Sequence, residues 1–233
     1  MRRLLAACLL LSLSPPLLAA PPSRVQASYD VLKGSIRVAT VNETFTCQQD
    51  HYAIESISKA VWPLTIFKAE TIRVNSAGVV TAHGLRPPTY TSSRKLDSDR
   101  NARADFDWEK HRITLNDRAG KRTLPLPAGT QDRLSAMYQL MYMPLQDMPL
   151  LKFYMTNGSK VDDYAYVITL NQSVTVPLGT FKAIYAASPQ EKNASRTEIW
   201  MAAEHDNFPY KVVITEPDGG QFTQVLTRIE FTP

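Results

Sequence analysis

The stretch Tyr29-Asp30-Val31-Leu32-Lys33-Gly34-Ser35-Ile36-Arg37-Val38-Ala39-Thr40-Val41-Asn42-Glu43-Thr44-Phe45-Thr46-Cys47 decides the fold. Its β-branched and aromatic residues alternate with polar ones, which is the period of a strand and not of a helix. Gly34 interrupts the alternation, so the segment reads as two strands, Tyr29 to Lys33 and Ser35 to Cys47, joined near that glycine. The same pattern continues in both directions along the chain.

Downstream, Tyr52 to Val61 places Tyr52, Ile54, Ser56 and Ser58 on one face. Glu70 to Asn75 follows, with Ser76-Ala77-Gly78 expected as a turn into Val79 to His83. Pro87 to Arg103 reads as a strand around Tyr90 and then a loop. Asp105 to Trp108 and His111 to Asn116 form a hairpin around Glu109-Lys110, closed by Asn116 to Lys121. Beyond the middle of the chain, Tyr164, Tyr166, Ile168 and Leu170 alternate with Ala165, Val167 and Thr169. Val174 to Pro177, Thr180 to Ala187, Thr197 to Ala202, Lys211 to Glu216 and Gln221 to Phe231 complete the set, with Asp218-Gly219-Gly220 a hairpin turn.

One segment carries the helical period. Leu134, Met137, Tyr138 and Met141 fall at i, i+3, i+4 and i+7, with Leu140 and Met143 widening the apolar stripe. Thr130 is placed to cap it, Asp132 suits the positive end of the helix dipole, and Pro144 stops it. The expectation is therefore a mostly β protein: a strongly curved antiparallel sheet or partial barrel, clam-like, with one central α-helix at about 130–143.

The first residues have the layout of a secretory signal: Arg2 and Arg3, an apolar run from Leu4 to Leu13, and the small-residue exit Leu17-Leu18-Ala19-Ala20. Cleavage is expected after Ala19, leaving residues 20–233 as a single curved-sheet domain with no transmembrane segment. The apolar run is about ten residues, half of the roughly 20 that a spanning helix needs. Leu5-Ala6-Ala7-Cys8 comes too close to the arginines to act as a lipidation signal. Losing Arg2 and Arg3 lowers the formal charge of +4 toward neutral, which excludes an electrostatic footprint for nucleic acid. Cys8 leaves with the leader, so Cys47 has no intramolecular partner and is expected as a buried small hydrophobe. The address implied is the bacterial periplasm.

These ordered signals resemble the bacterial domain of unknown function 3108 family of exported envelope proteins. The matching residues are Tyr29-Asp30-Val31 with Gly34, Ser76-Ala77-Gly78, Gly84-Leu85-Arg86-Pro87 with Tyr90, and Phe106-Asp107-Trp108. Gln131-Asp132 with Leu134, Ser135 and Tyr138 follow, then Pro177-Leu178-Gly179, Ile199-Trp200, and Pro209 with Lys211. The resemblance implies a curved all-β sheet from about Tyr29 to Phe231. It implies no activity, because the family has no established one.

Candidate chemistry is sparse. If Asp107, Glu109 and His111 lay on one strand they would share a face able to hold a divalent cation. A turn at Glu109-Lys110 would split them, and no second histidine stands at ligand spacing, so no metal and no cofactor are expected. The signatures of nucleophile elbows, zinc helices, phosphate loops and dinucleotide folds are missing. Five methionines, Met137, Met141, Met143, Met148 and Met155, are interleaved with Tyr138, Tyr142, Phe153 and Tyr154, a flexible surface suited to apolar ligands or to irregular core filling. Gln131 and Arg86 are candidates for a polar contact at a cavity mouth, against the plainer roles of loop tie and carboxylate partner.

The sequence thus leads to a binding module for a lipid or another hydrophobic envelope molecule, contacted by Gln131, Met137, Tyr138, Met141 and Arg86. The alternative is a structural or interaction protein of the envelope with a packed interior and a protein partner. An envelope-glycan enzyme acting through Asp107, Glu109 and His111 ranks third. Ligand, partner and oligomeric state are not encoded in these patterns.

Overall fold

A computed structural model describes residues 22–61 and 70–232. The leader expected over residues 1–19 lies outside them. The chain first forms β1 (Arg24–Lys33), β2 (Ile36–Gln48), β3 (His51–Ala60), β4 (Thr71–Thr81) and β5 (Gly84–Arg94). β6 (Ala102–Asp107), β7 (Arg112–Asp117) and β8 (Gly120–Pro125) finish this first meander. A connecting segment, 126–149, then carries the short β9 (Gln131–Asp132), the helix α1 (Ser135–Gln139) and two 3-10 turns. The second meander runs through β10 (Leu150–Thr156), β11 (Val161–Val176), β12 (Gly179–Ala187), β13 (Arg196–Ala202), β14 (Phe208–Thr215) and β15 (Gln221–Thr232).

Among the described residues these strands make one fifteen-stranded sheet, in the order β8 back to β1, then β15 back to β9. Its two meanders meet at the β1–β15 pair, where Arg24 lies opposite Thr232. Every pairing is antiparallel except β9 with β10. Register shifts at Ser28/Tyr29, Val31/Leu32, Ala77/Val79, Thr169/Gln172 and Trp200/Met201 interrupt five of the ladders. Bulges of this kind bend a strand and raise its twist, and here they recur along the sheet. Strand β1 shows the side-chain arithmetic: Val25, Ala27 and Tyr29 are buried at alternate positions.

The buried side chains of both meanders share a core with the connecting segment. Phe45, Tyr90, Ile113 and Leu115 from the first half and Val174, Phe208, Tyr210 and Leu226 from the second pack with Leu134, Tyr138 and Met141. The segment is therefore a plug, held by apolar burial between the two halves. Among the described residues no helix is long and apolar enough to cross a membrane.

The fold class is as expected, but two local elements differ, the helix and the Ser76-Ala77-Gly78 turn. The helix spans five residues rather than 130–143. Gln131 and Asp132 pair with Met155 and Thr156 as a strand, and the Asp132 carboxylate accepts the Leu134 and Ser135 N–H groups, each at 2.8 Å. Aspartate offers the backbone this alternative to a helix. Thr130 donates its hydroxyl to the Pro127 carbonyl at 2.7 Å, so it caps nothing. After Gln139 the chain tightens into a 3-10 turn, Leu140–Tyr142.

Ser76-Ala77-Gly78 is not a turn but the middle of β4. The pairing with β5 passes from Thr89 opposite Ala77 to Arg86 opposite Val79, so Pro87 and Pro88 fall in the bulge. There neither needs the N–H it lacks. Gly78 is required by this crossing: a methyl group on it would collide with the Arg86 carbonyl and stand 2.8 Å from Pro88 Cδ. The hairpin turn around Glu109-Lys110 is as expected: β6 ends at Asp107, and Glu109 sits in the turn before His111, whose φ is 51°. Asp107 accepts the Lys110 backbone N–H at 3.0 Å and its ammonium at 3.1 Å, so the three residues share no strand face. Cys47 is half-buried and free.

Candidate ligand-binding site

In an antiparallel meander successive turns alternate between the two ends of the sheet. The β4–β5 turn and the β6–β7 turn therefore lie at one rim, and β8 delivers the chain to it: Leu126 N–H donates to the His111 carbonyl at 2.9 Å. The plug enters the sheet at this rim. Two of its glutamines clamp the start of β5. Gln139 Nε2 donates to the His83 carbonyl at 2.9 Å, and Gln139 Oε1 accepts the Leu85 N–H at 2.6 Å. Gln131 Nε2 donates to the Leu85 carbonyl at 2.8 Å. Gly84, at φ +91°, lacks the Cβ that would occupy the place of the Gln139 amide.

Between the plug, the two turns and β10 lies a cavity of about 530 Å³. That is within the range of small-molecule sites, ~300–1,000 Å³. Its apolar wall is made by Leu85, Ala136, Leu140, Met143 and Phe153. Its basic side chains are His83, Arg86, His111 and Lys152, and no carboxylate among the described residues lines it. The Arg86 guanidinium lies over the Trp108 ring, 5.1 Å from its centroid, and Trp108 is itself tied by its Nε1 to the Pro87 carbonyl at 2.8 Å. Phe106 stacks behind Trp108 at 5.6 Å. Gln131 is 4 % exposed, and its Oε1 has no hydrogen-bond partner.

Of the five residues singled out from sequence, Arg86 and Gln131 meet at this cavity. The other three do not line it. Tyr138 is 1 % exposed, stacks on Phe45 at 5.2 Å and meets Phe208 edge-on at 5.6 Å. Met141 is buried in the same core, and Met137 packs between the two apolar clusters. Sequence reasoning missed His83, Trp108, Gln139 and Lys152 as ligand-site residues and singled out His111 only in a cluster with Asp107 and Glu109. Their common feature is position at or beside one rim, which depends on strand order and not on local pattern.

A buried polar seam fastens the plug below the cavity. Ser76 donates to Asp132 Oδ2 at 2.5 Å and shares a hydrogen bond of 3.2 Å with the Tyr52 hydroxyl. Burial raises the Asp132 carboxyl to about 6, against the opposing hydrogen bonds of Ser76, Ser135 and Leu134. Tyr138 donates its hydroxyl to Glu43 Oε2 at 3.2 Å, and Ser56 donates to Oε1 at 3.0 Å. Burial raises Glu43 as well, with both hydrogen bonds working the other way. These carboxyls serve the plug's attachment: neither lines the cavity.

An opened, curled β sheet plugged by its own connecting segment, with a small cavity at one rim, defines the class of this protein. The chain belongs to the family described as protein of unknown function, DUF3108, whose pattern matches residues 26–227. A β-barrel-like protein of the domain of unknown function DUF1849 from Brucella abortus has a similar fold, with a TM-score of 0.59 at 12% identity. The likeness covers 92% of this chain and 100% of that one. No curated protein matches the chain.

Proposed function

We propose that this protein is a binding module of the bacterial envelope that holds one small hydrophobic or amphipathic molecule in the rim cavity. The observation that carries the reading is the cavity itself: a largely apolar pocket of about 530 Å³ beside the apolar core that the two meanders share. Large apolar pockets with a few convergent polar groups are the default place for a ligand. Export to the periplasm is part of the proposal and rests on the charged, apolar and small-residue layout of the first 19 residues.

The ligand site proposed is the rim, with Arg86 and Gln131 as contacts. Met137, Tyr138 and Met141 support it from the core. Native mass spectrometry of the protein purified without detergent tests the reading. A stoichiometric adduct of small-lipid size, absent from Ala128→Trp, is the expected result; Ala128 is an exposed residue on the cavity wall. A bare mass that envelope lipid extract leaves unchanged would sink it. A packed interior also favours the second reading, an envelope interaction protein, which crosslinking in cells would then take up.

A further inference from the structure

The apolar wall alone would accept any greasy molecule, but the polar groups around it are one-sided. Among the described residues His83, Arg86, His111 and Lys152 line the cavity, and no Asp or Glu does. Among the described residues none of the four takes part in an ion pair. Other long cationic side chains among the described residues do have a carboxylate partner, as Arg73 has Glu55 and Arg122 has Asp117. At the cavity that partner is missing. Arg86 is instead steadied on the Trp108 face, and among the described residues its guanidinium donates to no protein acceptor. A guanidinium fixed in this way has little rotamer entropy left to lose when an oxyanion arrives.

The inner wall adds a second requirement. The orientation of the Gln131 amide is fixed, because its nitrogen faces the Leu85 carbonyl at 2.8 Å. Its oxygen is buried without a donor. An unmet buried acceptor of this kind is unfavourable, and a ligand N–H or O–H that reaches it through the cavity relieves it. An anion in that place would be repelled, so the donor and the anion must be separate groups on the same ligand.

Building on the cavity reading above, we infer that the ligand is a single-chain amphiphile whose head carries an oxyanion, held at the rim by Arg86 and Lys152, and an adjacent hydroxyl or amide that donates to Gln131. The apolar chain lies against Leu85, Ala136, Leu140, Met143 and Phe153. The imidazoles of His83 and His111 add hydrogen-bond donors beside the two permanent cations.

Four probes with comparable chains, titrated calorimetrically below their micelle concentrations, test this: N-decanoylglycine, decanoate, decyl glucoside and decyltrimethylammonium. N-Decanoylglycine should bind at least tenfold tighter than decyl glucoside and about threefold tighter than decanoate, with the cationic probe weakest. In Arg86→Gln/Lys152→Gln the advantage of the anions over decyl glucoside should vanish. Both positions are exposed, so the double variant keeps its core. Equal affinity for anionic and neutral probes, or an anionic preference that survives the double variant, overturns the inference and leaves the cavity reading intact. Parity between N-decanoylglycine and decanoate removes the donor to Gln131. Binding that persists in Ala128→Trp assigns the anions to another surface and overturns the inference. No binding by any probe overturns both readings.

Discussion

Asp132 shows what a single residue does in this fold. It contributes to a two-residue strand, collects the two N–H groups at the start of α1 and accepts the Ser76 hydroxyl, all while fully buried. Its folded-state carboxyl, near 6, lies above the ~3.9 of an unfolded aspartate. Folding therefore favours the protonated form. The stability tied to that proton is fully present below the unfolded value and is lost as the pH rises through 6. Asp132→Asn keeps an oxygen for the Leu134 and Ser135 N–H groups and carries no charge to bury. Urea unfolding followed from pH 4 to pH 8 should show the variant gaining on the parent by roughly 2–3 kcal/mol across the window. Glu43, raised in the same direction, is present in both proteins and cancels in the difference. Parallel curves for the two proteins would mean that the buried carboxyl does not titrate as its surroundings require.

At the scale of elements, the strands were legible because burial on one face imposes a period of two, as Val25, Ala27 and Tyr29 display. The plug was not. Leu134, Met137, Tyr138 and Met141 have helical spacing, and a helix does form among them, but only over Ser135–Gln139. The hydrogen bonds that shorten it come from Asp132 and from Thr156 on a distant strand, and tertiary partners of this kind leave no mark in the local pattern. The same holds for Gly78. A glycine after Ser76-Ala77 has the composition of a turn, yet its purpose is to let β4 pass the Arg86 carbonyl. Gly78→Ala places a methyl group against backbone, which cannot rotate away, and should cost about 1–3 kcal/mol, as overpacking does. A denaturant titration that finds the variant as stable as the parent would show that the bulge can relax. Because Arg86 is carried by the strand facing that bulge, the variant should also weaken binding of anionic probes relative to neutral ones.

At the scale of the molecule, the sequence revealed a curved sheet and the family, but not the order of its strands. The cavity depends on that order: it draws together Arg86 from β5, Trp108 from the β6–β7 turn, Gln131 from the plug and Lys152 from β10, residues separated by as many as 66 positions. The order has a further consequence. The two meanders are joined at the middle of the sheet by β1 and β15, with Arg24 opposite Thr232, while the sheet's free edges are β8 and β9. The described ends of the chain thus lie side by side, like the feet of a hairpin that lacks its turn. Linking Thr232 to Arg24 with a short Asn-Gly-containing loop completes that hairpin. Opening the chain instead at Ala119-Gly120, the turn between β7 and the edge strand β8, breaks no core contact: Gly120 is exposed and nothing stands within 4 Å of the place its Cβ would take. Such a permutant should fold, unfold in one transition within about 2 kcal/mol of the parent, and bind the decyl probes with unchanged preference. Deleting β15 should abolish folding, because it removes Leu226 from the shared core and exposes the inner edges of both β1 and β14. A permutant that fails to fold while the β15 deletion survives would reverse the assignment of centre and edge, and with it the placement of the cavity at the rim where the plug enters.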